Sequence, residues 1–165
     1  MAGEQIRIRA AEVEDADADA LAGMLNALSV NEGLGESTYS SESVRAQFFG
    51  PQPVFDVLVA EGESGLIGYA AYEGSFDTDS GEQSFWLHDI YVAGAARGLG
   101  LGRRLMAAVA QAAIAEGRTS VWWGVLNSNT KALAFYDRLG ARDQGVRMLA
   151  LDGAALMTLA KRAGE

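Results

Sequence analysis

Arg97-Gly98-Leu99-Gly100-Leu101-Gly102-Arg103-Arg104 carries three alternating glycines flanked by arginines, between an apolar run ending Ile90-Tyr91-Val92 and an amphipathic run. Alternating glycines let consecutive backbone N–H groups turn to one side where a Cβ would block them, and a helix opening there adds the positive end of its dipole. The stretch therefore predicts a strand, an anion cradle and a helix in succession, with a phosphate-bearing ligand at the turn. A Walker loop requires Gly-Lys-Ser/Thr where this chain has Gly102-Arg103-Arg104. A dinucleotide fingerprint puts its third glycine where this chain has Arg103 or Leu105, and an acid about 20 residues on, where Val121-Trp122-Trp123 stands. Arg97, Gly100 and Gly102 instead fill Arg/Gln-x-x-Gly-x-Gly/Ala.

Downstream of the cradle, Leu101, Leu105, Ala108, Val109 and Ala112 form one helical face closed by Gly117. A buried strand, Ser120 to Leu126, comes next. Asn127-Ser128-Asn129 then offers caps for a short helix with Ala132, Phe135, Tyr136 and Leu139 inward, ended by Gly140. A strand from Val146 to Leu151 and a helix capped by Asp152, with Leu156, Leu159 and Ala160 on one side, complete the chain.

Upstream, a strand over Gln5–Ala10 leads to a helix from Asp15 with Leu21, Met24, Leu25 and Leu28 on one face. The acidic loop Asn31 to Glu36 separates it from a second helix, Ser40 to Phe49, with Val44, Phe48 and Phe49 inward. Val54–Ala60 and Leu66–Tyr72 read as a hairpin about Gly62-Glu63-Ser64-Gly65, and Phe85–Val92 as a third strand after the polar break Asp77–Gln83. The order β, α, α, β, β, β, α, β, α, β, α predicts an α/β protein. Its sheet is of mixed direction, an antiparallel meander followed by parallel pairing in the second half.

The 165 residues predict one domain, 1–165. No apolar stretch approaches the roughly 18 residues of a membrane span, and Met1 to Gln5 carries no secretory pattern, so the expectation is a cytoplasmic protein with no membrane partner. Cysteine is absent, which excludes disulfides, thiolate zinc sites and a cysteinyl intermediate; a single histidine, His88, leaves no histidine cluster, so no metal is expected. A net charge of −9 argues against a nucleic-acid partner; it favours a cationic one, or serves solubility alone.

The Arg97–Gly102 pattern resembles the acyl-CoA signature of the GNAT family of N-acetyltransferases. Asn129-x-x-Ala132-x-x-Phe135-Tyr136-x-x-x-Gly140-Ala141 resembles the family's later motif, and the likeness runs from the Ile6-Arg7-Ile8-Arg9 strand to the last helix. Leu87-x-Asp89, Trp123-x-Val125, Asn129, Phe135-Tyr136 and Leu139-Gly140-Ala141 are similar to the diamine (spermidine/spermine) acetyltransferase branch. The resemblance implies a mixed, mostly antiparallel sheet flanked by helices, with acyl-CoA in a splay between the fourth and fifth strands.

It also implies acetyl-CoA as co-substrate. Its pyrophosphate would lie on Arg97, Gly98, Leu99, Gly100, Leu101, Gly102 and Arg103, its pantetheine arm would pair with Ile90, Tyr91 and Val92, and Asn129, Ala132 and Phe135 would border it. Asn129 reads equally as a helix cap. Tyr136 would be the general acid, since a phenol of pKa near ~10 holds its proton until the departing thiolate needs it. Periodicity alone makes the same residue a core aromatic.

The branch carries a glutamate just before the aspartate of Leu-x-Asp, whereas this chain has His88 and then Asp89. An imidazole of ordinary pKa near ~6.5 takes an ammonium proton directly or through a water, or else His88 is simply structural. Asp89, Glu32 and Glu36 would bind a small cationic acceptor. The implied activity is direct acetyl transfer to a primary amine in a ternary complex. A protein amino group as acceptor and a non-catalytic acyl-CoA-binding module are the alternatives. The branch implies a homodimer, in which Val146–Ala160 would take part, unless these residues belong to the domain's own core.

Overall fold

The strands follow one another across a single sheet in chain order, so each finds its partner by the shortest connection. In a computed structural model describing residues 6–12, 15–33, 35 and 37–164, β1 (Arg7–Ala10), β2 (Asp56–Gly62), β3 (Gly65–Asp77) and β4 (Glu82–Val92) pair antiparallel, and β5 (Ser120–Trp122) runs parallel to β4. The helices are α1 (Asp15–Asn31), α2 (Ser41–Phe48), α3 (Leu101–Ala115), α4 (Thr130–Arg138) and α5 (Gly153–Ala160). This is the mostly antiparallel, helix-flanked sheet expected from the sequence. Two compact units divide the chain, Met1–Trp123 and Gly124–Glu165.

In the first unit, strand alternation sends Val57, Val59, Tyr69 and Ala71 into one cluster with Leu21, Leu25 and Val44 of α1 and α2. Ala60, Ala70, Tyr72, Phe85 and Leu87 enter the other with Leu101, Leu105 and Val109 of α3. The hairpin turns at Glu63-Ser64, between paired Gly62 and Gly65.

One charged cluster ties β1 to α1. Arg9 donates twice to Asp17, at 2.7 and 2.9 Å, and also to Glu61, at 3.0 and 3.3 Å. Asp17 accepts in addition from the Glu12 N–H at 2.9 Å. The Arg9 guanidinium holds the Asp17 carboxyl below its usual range despite burial. A depressed native pKa stabilises above the unfolded value of about 3.9, and that stabilisation is lost as pH falls through the native value. Asp17→Asn is therefore expected to cost about 2 kcal/mol at neutral pH. Urea unfolding should show the penalty shrinking as pH falls below the ordinary carboxylate pKa; a penalty equal at pH 7 and at about pH 3 would be inconsistent with this pair.

Three strand ends differ from expectation by three residues or more. β3 and β4 extend past Tyr72 and before Phe85, because Ser75 to Asp77 pair with Glu82 to Ser84 in a ladder that carries no alternating apolar signature. β5 stops at Trp122 rather than Leu126, since its ladder with β4 spans only Ser84–Trp86. Leu87–Val92 consequently has β3 as its single strand neighbour among the described residues. This open edge is where the resemblance predicts a splay.

The expected strand Val146–Leu151 is not formed: residues 141–152 join no ladder among the described residues. Alternating apolar residues make a strand only where a neighbour takes the backbone hydrogen bonds. In the second unit, Gly140 (φ 85°) ends α4 by donating to the Asp137 carbonyl, while Ala141 N–H reaches Tyr136 O. Asp152 precedes α5 as expected, though its side chain makes no cap hydrogen bond.

Candidate active site

The cradle begins where β4 ends. Ala93 donates to Ile67 O, a short 3₁₀ turn follows over Gly94–Ala96, and Gly98 and Gly100 take φ of 82° and 76°. An L side chain is strained in that region, so the glycines permit the backbone path rather than relieve a clash; no atom lies within 4 Å of where their Cβ atoms would be. The Leu101 side chain is buried and fixes the start of α3. None of the backbone N–H groups from Gly98 to Arg103 has a hydrogen-bond partner among the described residues. Six such donors with the α3 dipole behind them fit an anionic pyrophosphate group.

The three arginines divide. Arg97 donates through Nε to Val92 O at 2.9 Å and lies 5.9 Å from the Tyr91 ring centroid. Arg104 donates to Ile6 O at 2.7 Å, tying α3 to the chain just before β1. Arg103 is exposed at the mouth of the cradle, as is Leu99. Ile90, Tyr91 and Val92 pair with Ala70, Tyr69 and Gly68 of β3 on one side and lie along the open edge on the other.

The β3–β4 register passes from Tyr72↔Leu87 to Ala71↔Asp89, so His88 is the extra residue of a β-bulge. Simple alternation would send positions 88 and 89 to opposite faces. With the bulge, both face α1 and α2: His88 meets Phe55 edge-on with centroids 4.5 Å apart, and Asp89 Oδ2 accepts from Tyr69 Oη at a long 3.4 Å. Leu87 before the bulge and Ile90 after it both turn to the α3 face.

Asp89 is held above the usual carboxylate range by burial, opposed by His88 and by the Tyr69 hydroxyl. Glu32, at the end of α1, is raised by partial burial and by repulsion from Asp89. Burial keeps the Tyr69 phenol protonated. The structure thus places Asp89 in electrostatic reach of both Glu32 and His88, while Glu36 lies outside the described residues.

An open cleft of about 560 Å³ is lined by Asn26, Asn31 and Ser37 together with Tyr91 and Arg97. Asn26 shapes its rim, accepting from Ser37 Oγ at 2.9 Å and Tyr39 N–H at 3.0 Å and donating to Tyr39 O at 3.0 Å. In the second unit, Asn129 is seen as a cap, accepting from Ala132 N–H at 3.2 Å. Ala132, Phe135 and Tyr136 are the half-buried positions of α4, as is Leu139 at its C-cap, with the Phe135 and Tyr136 rings 5.1 Å apart.

Sequence reasoning missed Tyr69, Glu73 and Asn26. A polar Asn26 among apolar α1 residues was a usable signal; the first two required the strand register. Among the described residues no group of three or more His, Cys, Asp or Glu could hold a metal ion, and no helix is long and apolar enough to cross a membrane.

Residues 19–141 match the acetyltransferase (GNAT) family. Thialysine N-epsilon-acetyltransferase of Sus scrofa is 34% identical over 162 residues, covering 90% of this chain and 95% of its own. The L-ornithine N5-acetyltransferase NATA1 of Arabidopsis thaliana is 31% identical over 114 residues, 68% of this chain and 47% of its own. Two solved structures share the fold. An integron cassette protein from the mobile metagenome of V. cholerae has a TM-score of 0.80 at 24% identity, covering 96% of this chain and 99% of its own. An aminoglycoside acetyltransferase from an uncultured soil metagenomic sample has a TM-score of 0.72 at 20% identity, covering 90% and 97%.

Proposed function

The chain belongs to the acetyltransferase (GNAT) family and is an N-acetyltransferase, and from that premise we propose that it transfers acetyl from acetyl-CoA to a primary amine of a small cationic acceptor. The observation that carries the acceptor class is the bulge at His88, which turns the imidazole and the Asp89 carboxyl to one face, with Glu32 in electrostatic reach of Asp89 and both carboxyls raised by burial. Uncompensated negative charge of this kind attracts an ammonium. The amine acceptors in the relatives' names, thialysine and ornithine, point the same way.

Bound acetyl-CoA supplies the activated thioester. The Gly98–Arg103 amides and Arg97 hold its pyrophosphate, and Ile90, Tyr91 and Val92 align its arm along the open edge of β4. Asp89 and Glu32 hold the acceptor, and His88 takes one ammonium proton, releasing the lone pair for attack on the carbonyl. A backbone N–H near Tyr91–Val92 stabilises the developing oxyanion. Tyr136 protonates the sulfur as the C–S bond breaks, and the nitrogen's second proton restores the phenol. The imidazolium then loses its proton to solvent. Residues 1–165 act in this reading as one catalytic domain.

CoA release measured over a panel of diamines, basic amino acids, aminoglycosides and peptides tests it. Turnover of small dibasic amines is expected. Activity confined to peptides would overturn the acceptor class, and binding of acetyl-CoA with no acetylated product from any amine would overturn the enzyme reading.

A further inference from the structure

His88 Nε2 lies 2.8 Å from Glu73 Oε1 on β3, fifteen residues away in sequence and across the polar end of the β3–β4 ladder. A carboxylate only accepts, so Nε2 carries the hydrogen. Nδ1 makes no hydrogen bond among the described residues. The Phe55 ring, edge-on at 4.5 Å, and the Trp86 ring, at 6.5 Å, flank the imidazole and limit its rotation.

We propose that Glu73 is a positioning residue that fixes His88 in its Nε2–H tautomer and so presents Nδ1, with its lone pair, as the atom that accepts the acceptor's proton. The inference rests on His88 being the base. When Nδ1 takes the ammonium proton the ring becomes an imidazolium, whose charge Glu73 offsets without itself taking the proton, as a carboxylate partner does for a catalytic histidine elsewhere. The charged groups around the ring are Glu73 from β3 and Asp89 from β4, with Glu32, just past α1, acting on Asp89; Phe55 and Trp86 are neutral. Glu73 is itself half-buried and belongs to neither apolar cluster, so changing it leaves the core intact.

The chain has one histidine, so the imidazole ¹⁵N resonances of histidine-labelled protein report on His88 alone. At about pH 9, where an ordinary imidazole is neutral, the wild type should show the Nε2–H pattern, and Glu73→Ala a tautomer mixture. The same variant should lose about 10- to 100-fold in kcat with KM for acetyl-CoA unchanged. Glu73→Gln, which keeps an acceptor oxygen, should restore the tautomer and part of the rate. A Glu73→Ala enzyme with wild-type tautomer or wild-type kcat would overturn the proposal. His88→Gln separates the two ideas: full activity in that variant removes the base reading itself, whereas its inactivity beside a fully active Glu73→Ala removes only the role of Glu73.

Discussion

Tyr136→Phe is expected to lower kcat by about 100-fold while leaving acetyl-CoA binding unchanged. The variant removes one oxygen and keeps the ring that packs beside Phe135 on α4. The effect falls on turnover because an attacked thioester collapses forward only if sulfur leaves more readily than the amine. A thiol of ordinary pKa about 8.5 leaves as a passable anion, which keeps the loss toward the lower end of the range for general acid catalysis. The diagnostic is the leaving group: an acyl donor with a more acidic thiol should recover most of the lost rate. Equal losses with both donors, or no loss at all, would remove Tyr136 from the acid role. Isothermal titration with CoA checks that the cradle is intact.

Asp89→Asn is expected to weaken the enzyme and stabilise the fold. An ammonium that loses a charged hydrogen-bond partner gives up about 1.4–2.8 kcal/mol, or a 10- to 100-fold rise in acceptor KM. Stability moves the other way. Burial raises the native pKa of Asp89, and that of Glu32 is raised by burial and by Asp89. A carboxyl raised in the native state contributes stability below its unfolded pKa and loses it as pH rises through the native value, so at neutral pH ionised Asp89 destabilises. The asparagine variant should therefore melt higher at pH 7, by about 2–4 °C for each kcal/mol recovered, and lose the advantage below the ordinary carboxylate pKa near 3.9. A variant that melts lower at pH 7 would show Asp89 to be structural. Gain of stability with loss of function is the signature of charge kept for a ligand.

Much of the first unit was legible from local pattern. α1, α2 and α3 follow apolar spacings of three and four, Ser40 caps α2 through a reciprocal bond with Ser43, and Gly117 and Gly140 lie just past helix ends where a left-handed residue is needed. Each of these depends on residues within a turn of one another. The cradle was legible for the same reason, since Gly98, Gly100 and the opening of α3 act through adjacent backbone. Val146–Leu151 looked like a strand because its side chains alternate, but pairing needs a neighbour and none is present among the described residues. The ion pairing of Arg9 with Asp17 and Glu61 was invisible for the same reason: Glu61 meets Arg9 only after β1 has docked on β2, and Asp17 only after α1 has packed back against β1.

By itself the sequence determined the order of elements from β1 to α4 and the glycine-rich turn at Arg97–Arg104, because glycine conformation, helix caps and apolar periodicity are short-range properties. Tertiary structure decided what stands in front of that turn. One extra residue in the β3–β4 ladder turns His88 and Asp89 to the same face and brings Glu73 to the imidazole, and the packing of α1 brings Glu32 to Asp89. A shift of one position in the pairing moves side chains from one face of a sheet to the other, and that register is set by contacts between strands rather than by residues within one.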